Sequence, residues 1–132
     1  MKLLADTSAL LALVLTNDEH HEAATLFARK NLRARFVVTE LILSEVVTRL
    51  RARADAARAV AFAGDILRSR RYDLVFSDTK LLLGAMDQMT RFADKRLSFT
   101  DCASFQTIEQ LGLDGAFTFD RDFRDCGYEV RP

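Results

Sequence analysis

Short apolar runs of four or five residues alternate along this chain with longer stretches whose apolar side chains recur every three or four positions. KLLA (2–5) is a candidate first strand, and SALLALVL (8–15) follows it as a short buried helix. HEAATLFARKN (21–31) has apolar residues at 23, 24, 26 and 27 with charge on its other face, the pattern of an amphipathic helix. FVVT (36–39), rich in valine, predicts a second strand. LILSEVVTRLRAR (41–53) predicts a helix, with 42, 43, 46, 47 and 50 in one apolar stripe. Asp55 is placed to cap a further helix, AARAVAFAGDILRSR (56–70). DLVFS (73–77) is a third strand, followed by a helix from about Thr79 to Ala93. TDCASFQTIEQLG (100–112) is another helix, with Gly112 as its stop signal. AFTF (116–119) and YEV (128–130) complete the strands.

Strands separated by helices imply right-handed crossovers and a parallel sheet covered on both faces. The expected fold is therefore α/β: a three-layer α/β/α sandwich around a mainly parallel sheet of four to five strands. The only proline is the last residue, glycine is sparse, and no linker, repeat or low-complexity segment interrupts the pattern. Residues 1–132 are expected to form one domain.

Ligands of such sheets bind outside the carboxyl ends of the strands, which directs attention to the acids found there. Asp6 directly follows the first strand, inside an otherwise apolar stretch, LLADTSALLALVL. A lone buried carboxylate is disfavoured by desolvation, so Asp6 needs a compensating partner. Asp120 directly follows AFTF. Glu45 lies six residues after the end of the second strand, about two helical turns on, within reach of the same crevice. Asp101 opens a helix.

Each acid also has an ordinary explanation. Asp6 can cap the helix that follows it. Ser98 and Asp101 match the capping-box pattern. Asp120 can cap RDFRDC, and Asp122 suits the first turn of that segment. Glu45 can pair with Arg49 one turn on. Independent capping does not require the acids to converge on one crevice, whereas a shared metal site does. Two carboxylates ~4 Å apart repel by roughly 4 kcal/mol at an effective dielectric of 20, and a divalent cation offsets that cost. An oxygen-only donor set favours Mg²⁺ or Mn²⁺ over zinc. His20 and His21, far along the chain from each of these candidate acids, are expected at the surface.

Composition narrows the alternatives. The 19 basic and 19 acidic side chains cancel, which excludes a strongly basic nucleic-acid clamp but allows a local basic patch. Arg49, Arg51, Arg53, Lys95, Arg96 and Arg121 are candidates for such a patch, or for a solvated charged face. Cys102 and Cys126 show no metal-ligand spacing and no CxxC, and suit reduced thiols in a cytoplasmic protein. Asp6, Thr7 and Ser8 interrupt the N-terminal apolar stretch, which argues against a signal peptide, and no run is long enough for a transmembrane helix.

Taken together, LLADTSAL, LILSEVVTRL, LSFTDCAS and FTFDRDF resemble the successive motifs of PIN-domain ribonucleases, in particular the VapC-type toxins. The resemblance extends from residue 3 to about residue 130, and the stretch 55–95 is only generically similar. It implies a PIN-like fold and a Mg²⁺- or Mn²⁺-dependent endoribonuclease, with Asp6, Glu45, Asp101 and Asp120 as catalytic metal ligands and Asp122 as an accessory acid. Thr7 and Ser8 match the hydroxyl residue that the family carries beside its first aspartate. It further implies an RNA substrate, a homodimer and a small cognate antitoxin that silences the enzyme. Alternatives are a non-catalytic regulatory or interaction module on the same fold, and a nuclease that works without an antitoxin. A haloacid-dehalogenase phosphatase would need DxDxT where this chain has DTSAL. A receiver domain would need an acidic pair near residue 6 and a lysine after its last strand, and the glycines of nucleotide-binding fingerprints are missing.

Overall fold

The computed structural model describes residues Met1–Pro132. Twelve elements follow one another: β1 (Lys2–Ala5), α1 (Thr7–Val14), α2 (His21–Lys30), β2 (Arg35–Thr39), α3 (Glu40–Arg53), α4 (Ala56–Arg68), β3 (Tyr72–Val75), α5 (Thr79–Arg91), α6 (Phe99–Leu111), β4 (Ala116–Phe117), α7 (Arg121–Asp125) and β5 (Val130–Arg131). The five strands form one sheet in the order β3-β2-β1-β4-β5. Every pairing is parallel. The α/β sandwich with a parallel sheet is thus present, with five strands.

Strand β1 occupies the centre because its residues tolerate burial on both faces. Leu3, Leu4 and Ala5 are all buried, the continuous apolar run that a two-sided parallel strand requires. Leu4 pairs with Val37 of β2 on one side and with Ala116 of β4 on the other. The crossovers through α1–α2 and α3–α4 carry the chain out to β3, and the crossover through α5–α6 brings it back across β1 to β4. The strand order therefore reverses at β1, and the crevice between the carboxyl ends of β1 and β4 is the topological switch point where such sheets bind ligands.

Aromatic side chains fill two regions of the core. Phe117 lies 4.9 Å from Phe27 and 5.4 Å from Phe36, measured between ring centroids. Phe105 meets Phe123 edge-on at 5.0 Å and stacks on Tyr128 at 4.6 Å, joining α6, α7 and the chain leading into β5. Burying four phenylalanines completely, at about 1.5–3 kcal/mol each relative to exposure, anchors the elements that present the switch point.

The boundaries depart from the sequence expectations where side chains intervene. Helix α3 begins at Glu40, directly after β2, because Thr39 caps it through a 3.2 Å bond from the Ile42 N–H. Strand β3 ends at Val75 rather than Ser77, because the Ser77 N–H turns to donate to the Glu40 carboxylate at 2.9 Å. Strand β4 is two residues long rather than four, since the Thr118 side chain turns into the crevice. Strand β5 starts at Val130, two residues later than expected, after a turn in which Gly127 adopts a φ of 91°. No helix is long and apolar enough to cross a membrane.

Gly115 sets the approach of β4 to β5. Its φ is 144°, and a Cβ there would lie 2.4 Å from the Glu129 carbonyl oxygen. That backbone cannot yield cheaply, because the same carbonyl accepts the Ala116 N–H at 2.9 Å. Gly115→Ala is expected to destabilise the protein by about 1–3 kcal/mol, read as a lowered midpoint of thermal or urea unfolding. An unchanged midpoint would show that β5 does not depend on this approach.

Candidate functional site

Five acids lie around the switch point, delivered by different parts of the fold. Asp6 is the N-cap of α1, immediately after β1, and Asp120 is the N-cap of α7, shortly after β4. Asp122 sits in the first turn of α7, Asp101 in the first turn of α6, and Glu45 midway along α3. Carboxylate oxygens of Asp101, Asp120 and Asp122 lie within 4.8 Å of one another. Asp6 and Glu45 stand outside that tight group, yet both raise or feel charge through Asp101, which faces Asp6, Asp120 and Glu45. Asp101 is thus the hub of the cluster, and Asp122 belongs to its closest part.

The capping and ligand readings of these acids are compatible, because each carboxylate divides its two oxygens. Asp6 Oδ2 accepts from the Ser8 N–H at 3.3 Å, the Ser8 hydroxyl at 2.8 Å and the Thr118 hydroxyl at 2.9 Å, while Oδ1 has no hydrogen-bond partner. Asp101 Oδ2 accepts from the Ser98 N–H at 2.9 Å in a complete capping box, leaving Oδ1 free. Asp120 Oδ1 accepts from the Asp122 N–H at 2.9 Å, leaving Oδ2 free. Glu45 Oε1 meets Arg49 at 2.7 Å, leaving Oε2 free. The local bond fixes each carboxylate, and the remaining oxygen is available to a cation.

Burial and mutual repulsion oppose ionisation here. Desolvation pushes the Asp6 carboxyl up to about 6, against the bonds from Ser8 and Thr118 that favour the anion, with Asp101 adding to the rise. Burial also raises Asp101, opposed by its Ser98 bonds and reinforced by Asp120 and Glu45. Asp122 is raised by desolvation and by Asp120 and Asp125, and eased by Lys95. An all-carboxylate set with free oxygens and raised pKa values fits a hard divalent cation, which relieves the repulsion without nitrogen or sulfur ligands.

Two hydroxyls tie the ends of β1 and β4 together. Ser8 Oγ donates to Asp6 and accepts from the Phe119 N–H at 3.0 Å. Thr118 Oγ1 donates to Asp6 and accepts from the Asp120 N–H at 2.9 Å. Ser8 was flagged by the sequence. Thr118 was not, although its place two residues before Asp120 is the visible signal. Thr7 is buried with a hydroxyl that makes no hydrogen bond.

The basic candidates divide. Arg49 is held by Glu45, and Lys95 faces Asp122. Arg121 is exposed and shares a surface hollow with Asp120 and Arg124. Arg96 is exposed. Arg51 and Arg53 line hollows farther along α3 that contain none of the five acids. The histidines are only partly at the surface: His21 Nδ1 lies 2.7 Å from the Ala12 carbonyl oxygen, and His20 stacks on Phe119, beside Asp120.

The parallel sheet and its carboxylate-lined switch point define an α/β protein whose strand ends carry an acidic cluster suited to a divalent cation. The chain belongs to the PIN domain family, whose model matches residues 3–127. It is 32% identical over 133 residues to the "23S rRNA-specific endonuclease VapC20" of two Mycobacterium tuberculosis strains, with 98% of each chain covered. The crystal structure of M. tuberculosis VapC20, described as a sarcin-ricin loop cleaving toxin, superposes with a TM-score of 0.90 and 27% identity, covering 98% of this chain and 99% of that one. The DNA-bound VapBC of Salmonella typhimurium shares the fold at a TM-score of 0.71 and 15% identity, covering 99% of this chain and 97% of that one. VapBC2 of Rickettsia felis bound to promoter DNA does so at 0.70 and 11%, with both chains fully covered.

Two predictions follow from the Asp6 environment. Its folded carboxyl titrates at about 6, above the 3.8 of an unperturbed aspartate, so metal-free protein loses stability from this group as pH rises from about 4 to 6. Asp6→Asn is expected to be more stable than the parent in EDTA at pH 7.5 by about 3 kcal/mol, read as a higher unfolding temperature, and the gain is expected to vanish toward pH 4. An equal gain at both pH values would mean that burial of charge is not its source. Thr118→Val removes a bond to the anion, so it is expected to move the Asp6 midpoint upward, measured from carboxyl chemical shifts in a pH titration.

Proposed function

We propose that this protein is a metal-dependent endoribonuclease that hydrolyses phosphodiester bonds in RNA, the toxin of a toxin–antitoxin pair. The observation that carries the reading is the convergence of Asp6, Glu45, Asp101, Asp120 and Asp122 with one oxygen left free on each of four capped or paired carboxylates. Asp101, Asp120 and Asp122 would hold a Mg²⁺ or Mn²⁺ ion most directly, with Asp6 and Glu45 beside them. A bound divalent ion supplies an activated water and neutralises charge on the phosphate.

The chain's own residues do the rest. Ser98, Ser8 and Thr118 hold Asp101 and Asp6 in orientation, so the carboxylates need no rearrangement when a cation arrives. Lys95, Arg96 and Arg121 are the cations suited to meet the RNA backbone beside the acids. Arg49 keeps Glu45 in place rather than meeting RNA. The naming of a 32% identical relative as a 23S rRNA-specific endonuclease supports ribosomal RNA as the target class, and the sarcin–ricin loop as the first site to test. A small antitoxin and a homodimer accompany the reading through the VapC likeness. An interaction module on this fold is disfavoured, since clustered raised-pKa carboxylates cost stability without serving such a role.

Purified protein is expected to cut 23S rRNA, and a synthetic sarcin–ricin stem-loop, in Mg²⁺ or Mn²⁺ and to stop in EDTA. Asp101→Asn is expected to reduce the rate at least about 100-fold with an unchanged circular dichroism spectrum. Mn²⁺ titration by calorimetry is expected to show binding that Asp101→Asn weakens. Cleavage by Asp101→Asn at the parent rate would overturn the site, and metal-independent cleavage would overturn the mechanism.

A further inference from the structure

Helix α2 begins in an unusual way for this chain. Asp6, Thr39, Asp55, Asp78, Ser98 and Asp120 each cap their helix through their own side chain. His20, at the N-cap of α2, makes no such bond. Serine, threonine, aspartate or asparagine would stabilise that end by about 1 kcal/mol, so the histidine is not explained by the helix it precedes.

The imidazole instead lies flat on Phe119, with ring centroids 4.4 Å apart and planes within 4°. The contact joins residues 99 positions apart in sequence, and it lands on the residue between Thr118 and Asp120. Phe119 is itself fixed: its N–H donates to Ser8 Oγ at 3.0 Å, and its ring meets Phe117 edge-on at 6.2 Å. The rest of His20 is also held, its backbone N–H donating to Asp18 Oδ1 at 2.8 Å and its ring Nε2 lying 3.3 Å from the Glu19 carboxylate. Even so, 43% of the His20 side chain is exposed. With one face covered by Phe119, the exposure falls on the opposite face and the ring edge. A rigid, flat, half-open ring therefore stands one residue from a metal-site aspartate.

We propose that His20, backed by Phe119, is a stacking platform for an unpaired nucleobase of the RNA next to the scissile phosphate. This rests on the ribonuclease reading and adds to it a residue that selects the substrate. Proteins that take single-stranded or looped RNA place bases on aromatic faces in this way, with little dependence on base identity. The platform would let a chain with no net charge favour RNA whose bases are splayed out over duplex: basic side chains and the cation attract any phosphate, and the stack requires an unpaired base. His20 is a binding and positioning residue in this scheme, and no proton transfer is assigned to it.

The test begins with the unaltered protein. Its cut in rRNA is mapped, a short stem-loop spanning that cut is synthesised, and each nucleotide flanking the cut is replaced in turn by an abasic one. One abasic position is expected to raise KM about tenfold, the scale of one lost base stack, with kcat changed much less. His20→Ala is expected to raise KM on the intact RNA by a similar factor and to be insensitive to the abasic replacement. His20→Phe is expected to restore most of the loss, with unfolding midpoints confirming that all variants are folded. The proposal is overturned if His20→Ala and the parent respond equally to every abasic substrate, or if His20→Phe is as impaired as His20→Ala. Failure of the parent to cut any RNA in Mg²⁺ or Mn²⁺ would instead remove the ribonuclease reading, and this inference with it.

Discussion

One carboxylate oxygen, Asp6 Oδ2, accepts from two hydroxyls that also accept from the β4–α7 backbone, and the geometry of the site depends on that arrangement. β1 and β4 are adjacent and parallel, but ladder bonds alone would leave their carboxyl ends free to splay where the chain turns away into α1 and α7. Ser8 and Thr118 close that gap. Each hydroxyl donates to Asp6 and accepts from an N–H of the β4–α7 segment, Ser8 from Phe119 and Thr118 from Asp120, so the position of Asp6 is tied to the position of Asp120. A buried carboxylate is costly when isolated. Here it becomes the fastener between the two elements that meet at the switch point, and its raised pKa is the residual cost of that role.

The same economy extends to the other acids. A helix N-terminus leaves N–H groups without intrahelical partners, and aspartate satisfies them with one oxygen. Placing α1, α6 and α7 so that their N-termini converge brings three capping carboxylates to one crevice, each already oriented by its cap. The positive ends of those helices favour the ionised form, partly opposing the repulsion among the acids. Glu45 comes from the middle of α3 and has no cap to orient it, and Arg49 one turn on provides the fixed contact.

This explains what the sequence disclosed and what it withheld. Alternation of short apolar runs with 3.6-residue periodicity located all five strands and the helices between them, because a two-sided parallel sheet demands continuous apolar strands. The ends of β3 and β4 were misplaced because Glu40 and Asp6 recruit Ser77 and Thr118 across long sequence separations, which local propensity does not encode. The acids at strand ends were legible for the same topological reason that places ligands there. In sequence the cap and ligand readings look like alternatives, whereas a carboxylate has two oxygens and can serve both. Thr118 leaves in the sequence only its place two residues before Asp120, and the His20–Phe119 stack leaves nothing, because a hydroxyl or a ring acquires its meaning from a partner about a hundred residues away. Asp122, an accessory acid in the sequence reading, stands in the tightest group because a first-turn side chain tilts toward the helix N-terminus, the end where Asp120 caps α7.

The charge balance of the chain bears on how such a site meets a polyanion. Five carboxylates repel phosphate, and 19 basic groups against 19 acidic ones give no long-range attraction. A chain of this kind cannot hold RNA by its overall field, so contacts near the site must overcome a local repulsion. On the proposed reading a divalent cation would reverse the local sign at the crevice, and Lys95, which faces Asp122, and Arg121, which shares a hollow with Asp120, would supply short-range attraction around it. Those terms are insensitive to sequence and to pairing, and they would admit any phosphodiester backbone. Discrimination must then come from a group indifferent to charge, and an aromatic face is such a group. The aromatic stack beside Asp120 is therefore suited to the one task that the acids, the cation and the basic side chains cannot perform.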